Sequence, residues 1–309
     1  MARAEPAPKL RRLGILSQAS IREHPTPLFR EFLGGLRELG WIEGHNLAIE
    51  WRFAEGGFEP IPRLAAELVN LPVDLIVATP TPAALAAKEA TRTTPVVFVQ
   101  VADPVASGIV NNLARPGGNV TGLTTLAPDL SGKRLSLLKE ALSGVSRVAV
   151  LWNKPSQGAA LVFHEMLRVQ GQVGLELDDI GVSERGELDE AFAKAVRRGA
   201  TAVMVIDDPV IASLNRPVVE LAGKHRLPIF SQYSPYVDAG GLMAYGPSLV
   251  AVYRRAANYV DRILKGAHPG DLPVEQPTVY ELVINLNTAN SLGLDLSPNL
   301  IARADRVIE

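Results

Sequence analysis

Six short segments carry the residue types best able to do chemistry: Ser17-Gln18, Thr79-Pro80-Thr81, Gln100 to Asp103, Trp152-Asn153, Asp207-Asp208 and Ser231 to Tyr233. Each follows a short apolar run, and each is small, polar or aromatic in composition. Such a set suits hydrogen bonding of a modest solute between flat apolar walls. Thr79-Pro80-Thr81-Pro82 is the most informative. Its spacing places Thr81 as a helix N-cap and Pro82 as the first helical residue, which leaves free N–H groups and the positive dipole end for a carboxylate or phosphate. Asp103-Pro104 and Asp208-Pro209 repeat the cap-then-proline pattern. Both aspartates therefore read first as self-caps, with a ligand ammonium as the second reading. Asp207 is not needed as a cap and is the better partner for a cationic group. Gln18, Asn153 and Gln100 complete a polar ring, and Ser17 adds a hydroxyl. Tyr233, Tyr236 and Tyr245 have the shape to stack on a ring, although packing is the default for any one tyrosine.

Catalytic patterns fail on inspection. His164-Glu165-Met166-Leu167-Arg168 begins like a zinc-protease helix, but Arg168 stands where the second histidine must be, so the i,i+4 ligand pair cannot form. Gly117-Gly118-Asn119-Val120-Thr121-Gly122 lacks the lysine of a phosphate loop. There is no Gly-x-Ser-x-Gly elbow, and the first β-α turn has no Gly-x-Gly-x-x-Gly. The 5 histidines, His24, His45, His164, His225 and His268, fall in loops or on helices away from the strand ends, except for His24. The expectation is a binding protein with no catalytic residues, no metal and no cofactor. Asn119-Val120-Thr121 matches a glycosylation acceptor but fits better as part of a connection.

The elements that must position these residues are legible. Short β-branched runs alternate with amphipathic stretches, the pattern of βαβ units and parallel sheet. The first half predicts strands over Arg12–Ser17, Leu47–Phe53, Asp74–Ala78 and Pro95–Val99, with helices over Pro27–Leu39, Pro60–Val69 and Pro82–Thr91 between them. The second half predicts strands over Arg147–Trp152, Leu175–Ile180, Ala202–Ile206 and Pro228–Ser231, with helices over Gly158–Val169, Glu187–Arg197 and Val210–His225. Order, spacing and strand-end chemistry agree between the halves, which indicates an internal duplication. The fold class expected is α/β, with two similar doubly wound parallel-sheet lobes joined by hinge strands. In open α/β sheets ligands bind beyond the carboxyl ends of the strands, so the six segments would rim one interlobe cleft.

The remaining segments fall where connections belong. Asn119–Thr125 and Gly240–Gly246 are short, extended and bounded by glycine, as hinges that absorb backbone rotation should be. Helices are expected over Ser131–Leu142 and Ser248–Lys265, then a Pro-rich stretch Pro269–Pro277, a strand Tyr280–Asn285 and a terminal helix. The boundaries that follow are residues 9–122 with 245–275 for lobe 1, and 123–244 with 276–309 for lobe 2.

Bulk properties agree with two cores. The chain has 309 residues, 47% of them hydrophobic, and charged residues are nearly balanced at a formal net charge of −2. Nucleic acid is not an expected partner, because phosphate binding needs a concentrated basic surface and Arg11-Arg12, Arg197-Arg198 and Arg254-Arg255 are scattered. The absence of cysteine suits an oxidising compartment. No apolar run approaches the roughly 20 residues that span a bilayer. Residues Met1 to Lys9 form a polar leader containing Ala2-Arg3-Ala4, a small-x-small pattern typical ahead of a signal-peptidase cut. That reads as a mature exported, periplasmic protein whose apolar signal segment lies outside the sequence; a short tail on a cytosolic protein is the alternative.

Two further runs are specific. Val101-Ala102-Asp103-Pro104-Val105-Ala106-Ser107-Gly108, followed by Leu113-Ala114-Arg115-Pro116-Gly117-Gly118-Asn119-Val120-Thr121-Gly122, resembles a signature of ABC transporter substrate-binding proteins. The branch is the type-1 periplasmic-binding group of tryptophan/tyrosine type. Pro228-Ile229-Phe230 and Gly240-Gly241-Leu242-Met243-Ala244-Tyr245-Gly246-Pro247 resemble its later motifs, so the similarity runs from about Arg12 to the C-terminus. The resemblance implies a two-lobed periplasmic or lipid-anchored receptor that hands an amino-acid-like ligand to an ABC permease in the membrane; the chain is expected to be a monomer. The sequence departs from the family in having neither signal peptide nor lipobox cysteine, and it keeps hydroxyls at Thr79 and Thr81 where many members have glycine or serine. Two rival classes remain at this stage: a ligand-sensing receptor without transport, and an enzyme on the same duplicated fold. A transcription regulator is disfavoured, because only about ten residues precede the first strand, too few for a helix-turn-helix.

Overall fold

The structure, a computed structural model, describes residues 10–18, 25–54 and 60–309. The leader with Ala2-Arg3-Ala4 and the loop residue His24 lie outside the described residues. The chain divides into two compact units, Met1–Thr124 with Val250–Glu275, and Thr125–Leu249 with Gln276–Glu309.

Unit 1 alternates strand and helix as β1 (Arg11–Ser17), α1 (Pro27–Glu38), β2 (Leu47–Phe53), α2 (Ile61–Asn70), β3 (Leu75–Thr79), α3 (Thr81–Ala90), β4 (Val96–Val101) and β5 (Val120–Thr124). Its five strands lie in the order β2-β1-β3-β4-β5, all parallel. Strands of such a sheet are covered on both faces and read as continuous apolar runs. Leu75–Thr79 and Val120–Thr124 are buried at every position, as that arrangement requires. Thr26 opens α1 by accepting a hydrogen bond from the Phe29 backbone at 3.3 Å, with Pro27 in the first turn.

Unit 2 follows as α4 (Ser131–Ala141), β6 (Arg147–Leu151), α5 (Gln157–Val173), β7 (Glu176–Asp179), α6 (Leu188–Arg197), β8 (Ala202–Val205), α7 (Pro209–Ser213), α8 (Asn215–Lys224), β9 (Ile229–Ser231), α9 (Pro235–Asp238) and β10 (Met243–Pro247). The chain then enters α10 (Leu249–Leu264), nearly all of which belongs to unit 1, and returns to unit 2 as β11 (Tyr280–Asn285), α11 (Leu286–Leu292), α12 (Pro298–Ala302) and β12 (Arg306–Ile308). The second sheet has the order β12-β11-β10-β9-β8-β6-β7. It is parallel except for β10 against β11.

Several elements depart from the sequence reading. The single helix expected over Val210–His225 is two helices that meet at Leu214. Pro217 is the cause: in one continuous helix its ring would strike the Ser213 carbonyl four residues earlier. Asn119–Thr125 and Gly240–Gly246 are not bare connections, since each supplies a ladder strand, β5 and β10. β10 stays whole within unit 2, so the chain passes into unit 1 after Leu249. The terminal helix is two short helices followed by β12.

Each unit has its own apolar core. Unit 1 packs Leu13, Ile15, Phe29, Phe32 and Val97 against Val252, Tyr253, Ala256 and Val260 of α10 on one sheet face, and α2 and α3 cover the other. In unit 2, Phe192, Val205, Ile211, Val218 and Ile229 belong to one buried cluster.

Candidate functional site

Parallel strands bring their carboxyl ends to one edge of a sheet, so each unit gathers its predicted residues by topology alone. In unit 1, Ser17 stands in register with Phe53 and Thr79, and the Gln18 N–H donates to the Thr79 carbonyl at 3.2 Å. Ser17, Gln18, Thr79 and Thr81 are all buried. The Gln18 side-chain oxygen, Oε1, is shut off from solvent and has no hydrogen-bond partner. The Thr79-Pro80 bond is cis.

Thr81 is not the cap the sequence suggested. It is the first residue of α3, Pro80 occupies the cap position, and the Thr81 Oγ1 accepts instead from the Ala102 N–H at 3.3 Å. The bond ties the start of α3 to the loop after β4. It uses the hydroxyl as an acceptor, so the hydroxyl proton stays available for an anion. The Thr79 Oγ1 lies 2.9 Å from the hydroxyl of Tyr253 on α10, and that hydroxyl donates to Gln100 Oε1 at 3.2 Å. Gln100 sits at the register shift between β4 and β5 with φ 61. A glutamine held in the left-handed region costs on the order of 1–3 kcal/mol, and such strain gathers at functional sites. Asp103 accepts from the Val105 and Ala106 N–H groups at 3.0 and 2.9 Å, so it caps the turn that follows it.

In unit 2 the same edge collects Trp152, Asn153, Asp207, Asp208 and the Ser231–Tyr233 segment. Asp208 caps α7 by accepting from the Ile211 N–H at 2.9 Å, and Asn153 Nδ2 donates to its other oxygen at 2.6 Å. Burial raises the Asp208 pKa against the pull of these bonds. The Asp207 carboxyl is less satisfied: the Asp208 backbone N–H donates to it, but Oδ1 is buried with no hydrogen bond. Burial, reinforced by the neighbouring Asp208 charge, pushes its carboxyl up to about 8. The Asp207 N–H is held by Gln232 Oε1 at 2.9 Å, which leaves Gln232 Nε2 as a buried donor with no partner. An acceptor and a donor, both unsatisfied, thus lie on either side of one backbone hydrogen bond. Buried polar atoms of this kind cost about 1–3 kcal/mol each until something pairs with them.

The aromatic residues are mostly committed. Tyr236 donates to the Ile211 carbonyl at 2.6 Å, Trp152 stacks on Phe163 and donates to Asp179, and Tyr245 stacks on Tyr280. Tyr233 is buried, with the Ser231 hydroxyl donating to its carbonyl. Sequence reading missed Tyr253 and Arg134, and took in Gln232 only as part of the Ser231–Tyr233 segment. Arg134 is fully buried and donates to the carbonyls of Tyr245 and Ala127 at 2.9 and 2.7 Å, while its Nη2 has no partner. Burial lowers its pKa to about 10, against the opposing influence of Tyr233, Tyr245 and Tyr280. Among the described residues there is no group of three or more His, Asp or Glu side chains arranged to hold a metal ion.

The sequence profile described as ABC transporter substrate binding protein matches residues 21–308. The chain belongs to that family. It is the solute-binding component of an ABC uptake transporter, and its fold is that of the type-1 periplasmic binding proteins. A tyrosine-binding protein of Clostridioides difficile is 27% identical over 290 residues, covering 93% of this chain and 82% of the relative. The solved structure of an ABC domain from Streptococcus pneumoniae in complex with L-Trp is 25% identical, covers 97% of this chain and 100% of its own, and superposes with a TM-score of 0.90. An ABC transporter solute binding protein from Agrobacterium vitis with bound allitol shares the fold at a TM-score of 0.62 and 16% identity, with 92% of this chain and 98% of its own covered. These relatives are substrate-binding proteins. Among the described residues no helix is long and apolar enough to cross a membrane.

Proposed function

We propose that this substrate-binding protein reversibly captures a small amino acid with an apolar or aromatic side chain, without transforming it, and presents it to its permease in the periplasm as a monomer. The observation that carries the reading is Asp207, a carboxyl whose Oδ1 is buried and unpartnered and which stands beside a second carboxyl, Asp208, with no ion pair to either among the described residues. An ammonium group satisfies that oxygen and the charge together. On the edge of unit 1, Thr81 keeps a hydroxyl proton and Gln100 keeps its Nε2 as donor, which suits a carboxylate. Ser17, Gln18, Thr79 and Pro80 shape that edge, while Asp103, Asn153 and Asp208 hold the backbone around the site. Tyr233 and Tyr245 offer flat apolar surface for the side chain. The tyrosine-binding relative and the L-Trp complex support an aromatic amino acid as the ligand.

The test is calorimetric titration of the purified protein with L-tyrosine, L-tryptophan and the other common amino acids. Binding of at least one, lost in Asp207→Asn, is the expected result. No heat and no thermal shift with any of them would sink the amino-acid reading.

A further inference from the structure

We infer that Tyr253 is a positioning residue for ligand recognition, fixing the Gln100 side chain so that its Nε2 donates to the ligand's carboxylate. The inference rests on the amino-acid reading above and adds to it a residue that contributes no ligand contact of its own.

Proton counting gives the direction. The Tyr253 hydroxyl has one proton and donates it to Gln100 Oε1. The 2.9 Å contact with Thr79 Oγ1 must then use the threonine's proton, so donation runs from Thr79 to Tyr253 to Gln100. A chain of this kind polarises each member. It ends on the acceptor half of the Gln100 amide and commits only that half. The donor half, Nε2, makes no hydrogen bond among the described residues, and Gln100 as a whole is only half-buried. The ordinary alternative is that a buried tyrosine hydroxyl merely finds convenient partners. Two observations go beyond it. Gln100 is held at φ 61, in the left-handed region that a glutamine seldom adopts, at the register shift at the end of β4. Tyr253 is itself immobilised, 5% exposed and set edge-on to Phe29 at 5.5 Å, so its hydroxyl is a fixed point rather than a mobile one.

Tyr253→Phe removes the hydroxyl and keeps the ring contact with Phe29, so the fold is retained. The expected result is about a tenfold loss of affinity for the bound amino acid, with a thermal midpoint close to that of the parent. Gln100→Ala should lose a similar factor, and Tyr253→Phe/Gln100→Ala should bind no worse than Gln100→Ala alone, because the tyrosine acts only through the glutamine. A ligand-free readout separates this idea from the ligand class. The Gln100 side-chain amide should give NMR signals with restricted fast motion, a high order parameter, in the parent, and shifted signals with a clearly lower order parameter in Tyr253→Phe. Unchanged amide signals overturn the inference whatever the protein binds, and so do losses that multiply in the double variant.

Discussion

Asp207 shows how much can turn on one carboxyl. Its proton is held up to about 8 by burial and by the charge of Asp208, whereas in the unfolded chain it leaves near the ordinary value of 3.8. Between those two values the folded ligand-free protein binds a proton that the unfolded chain has released. This group therefore lowers stability progressively as pH rises through the window. Ligand capture has the opposite dependence. An ammonium pairs with the carboxylate, so below about pH 8 the proton must leave as the ligand arrives. Affinity should rise with pH by up to about tenfold per unit and level off near the Asp207 pKa. The groups able to blur this profile are Asp208, which is pinned by Ile211 and Asn153, and Tyr236, whose own pKa is raised well above its usual value. At pH 6.5, titration in two buffers of different ionisation heat should show close to one proton released per ligand bound, falling towards none above the Asp207 pKa of about 8. A flat affinity profile in the parent protein from pH 6 to pH 8 would remove Asp207 from the site.

At the level of elements, the strand ends were legible and the residues that brace them were not. Apolar runs followed by Ser17, Thr79, Asn153 or Asp207 carry their own signal, because a parallel strand must be buried on both faces and its end must meet solvent or a ligand. Amphipathic period continued straight through Pro217 and hid the break between α7 and α8, which only the missing N–H and the ring clash reveal. Tyr253 and Arg134 sit on helices that the sequence does mark, yet their partners Thr79 and Tyr245 are 174 and 111 residues away, and no local pattern encodes such pairings. The close approach of β10 to the end of β9 is equally invisible. A Cβ at Gly246 would lie well inside van der Waals contact of the Gln232 carbonyl, and next to Arg134 Nη2. Gly246→Ala must push these strand ends apart. It should cost roughly 2–4 kcal/mol in urea unfolding, by overpacking and by loss of ladder geometry. Because Gln232 also holds the Asp207 N–H, ligand affinity should fall in the same variant by more than the stability change explains. Retention of parental affinity would show that the Gln232 position does not matter to Asp207.

For the whole molecule, the consequence lies in how sequence is divided between the two units. Unit 1 is assembled from two stretches separated by most of unit 2, and its core is unfinished until the second stretch arrives. α10 supplies Val252, Tyr253, Ala256, Val260, Ile263 and Leu264 to the face of the sheet formed by Leu13, Ile15, Val77 and Val97. Its contact with α1 is close enough that a Cβ at Gly35 would stand 2.9 Å from the Ala257 Cβ and 3.0 Å from the Arg254 carbonyl. Burying each large apolar side chain stabilises by about 1.5–3 kcal/mol, so removing α10 forfeits roughly as much as the 5–15 kcal/mol that holds a typical domain together. The five-stranded sheet of unit 1, although continuous in sequence from β1 to β5, should therefore not fold independently. A fragment of residues 10–124 should show no cooperative urea transition by circular dichroism, whereas the same fragment joined through a flexible linker to residues 250–275 should unfold cooperatively. A sharp transition in the shorter fragment would mean that α2 and α3 alone can stabilise the sheet, and that α10 was added to a core already complete.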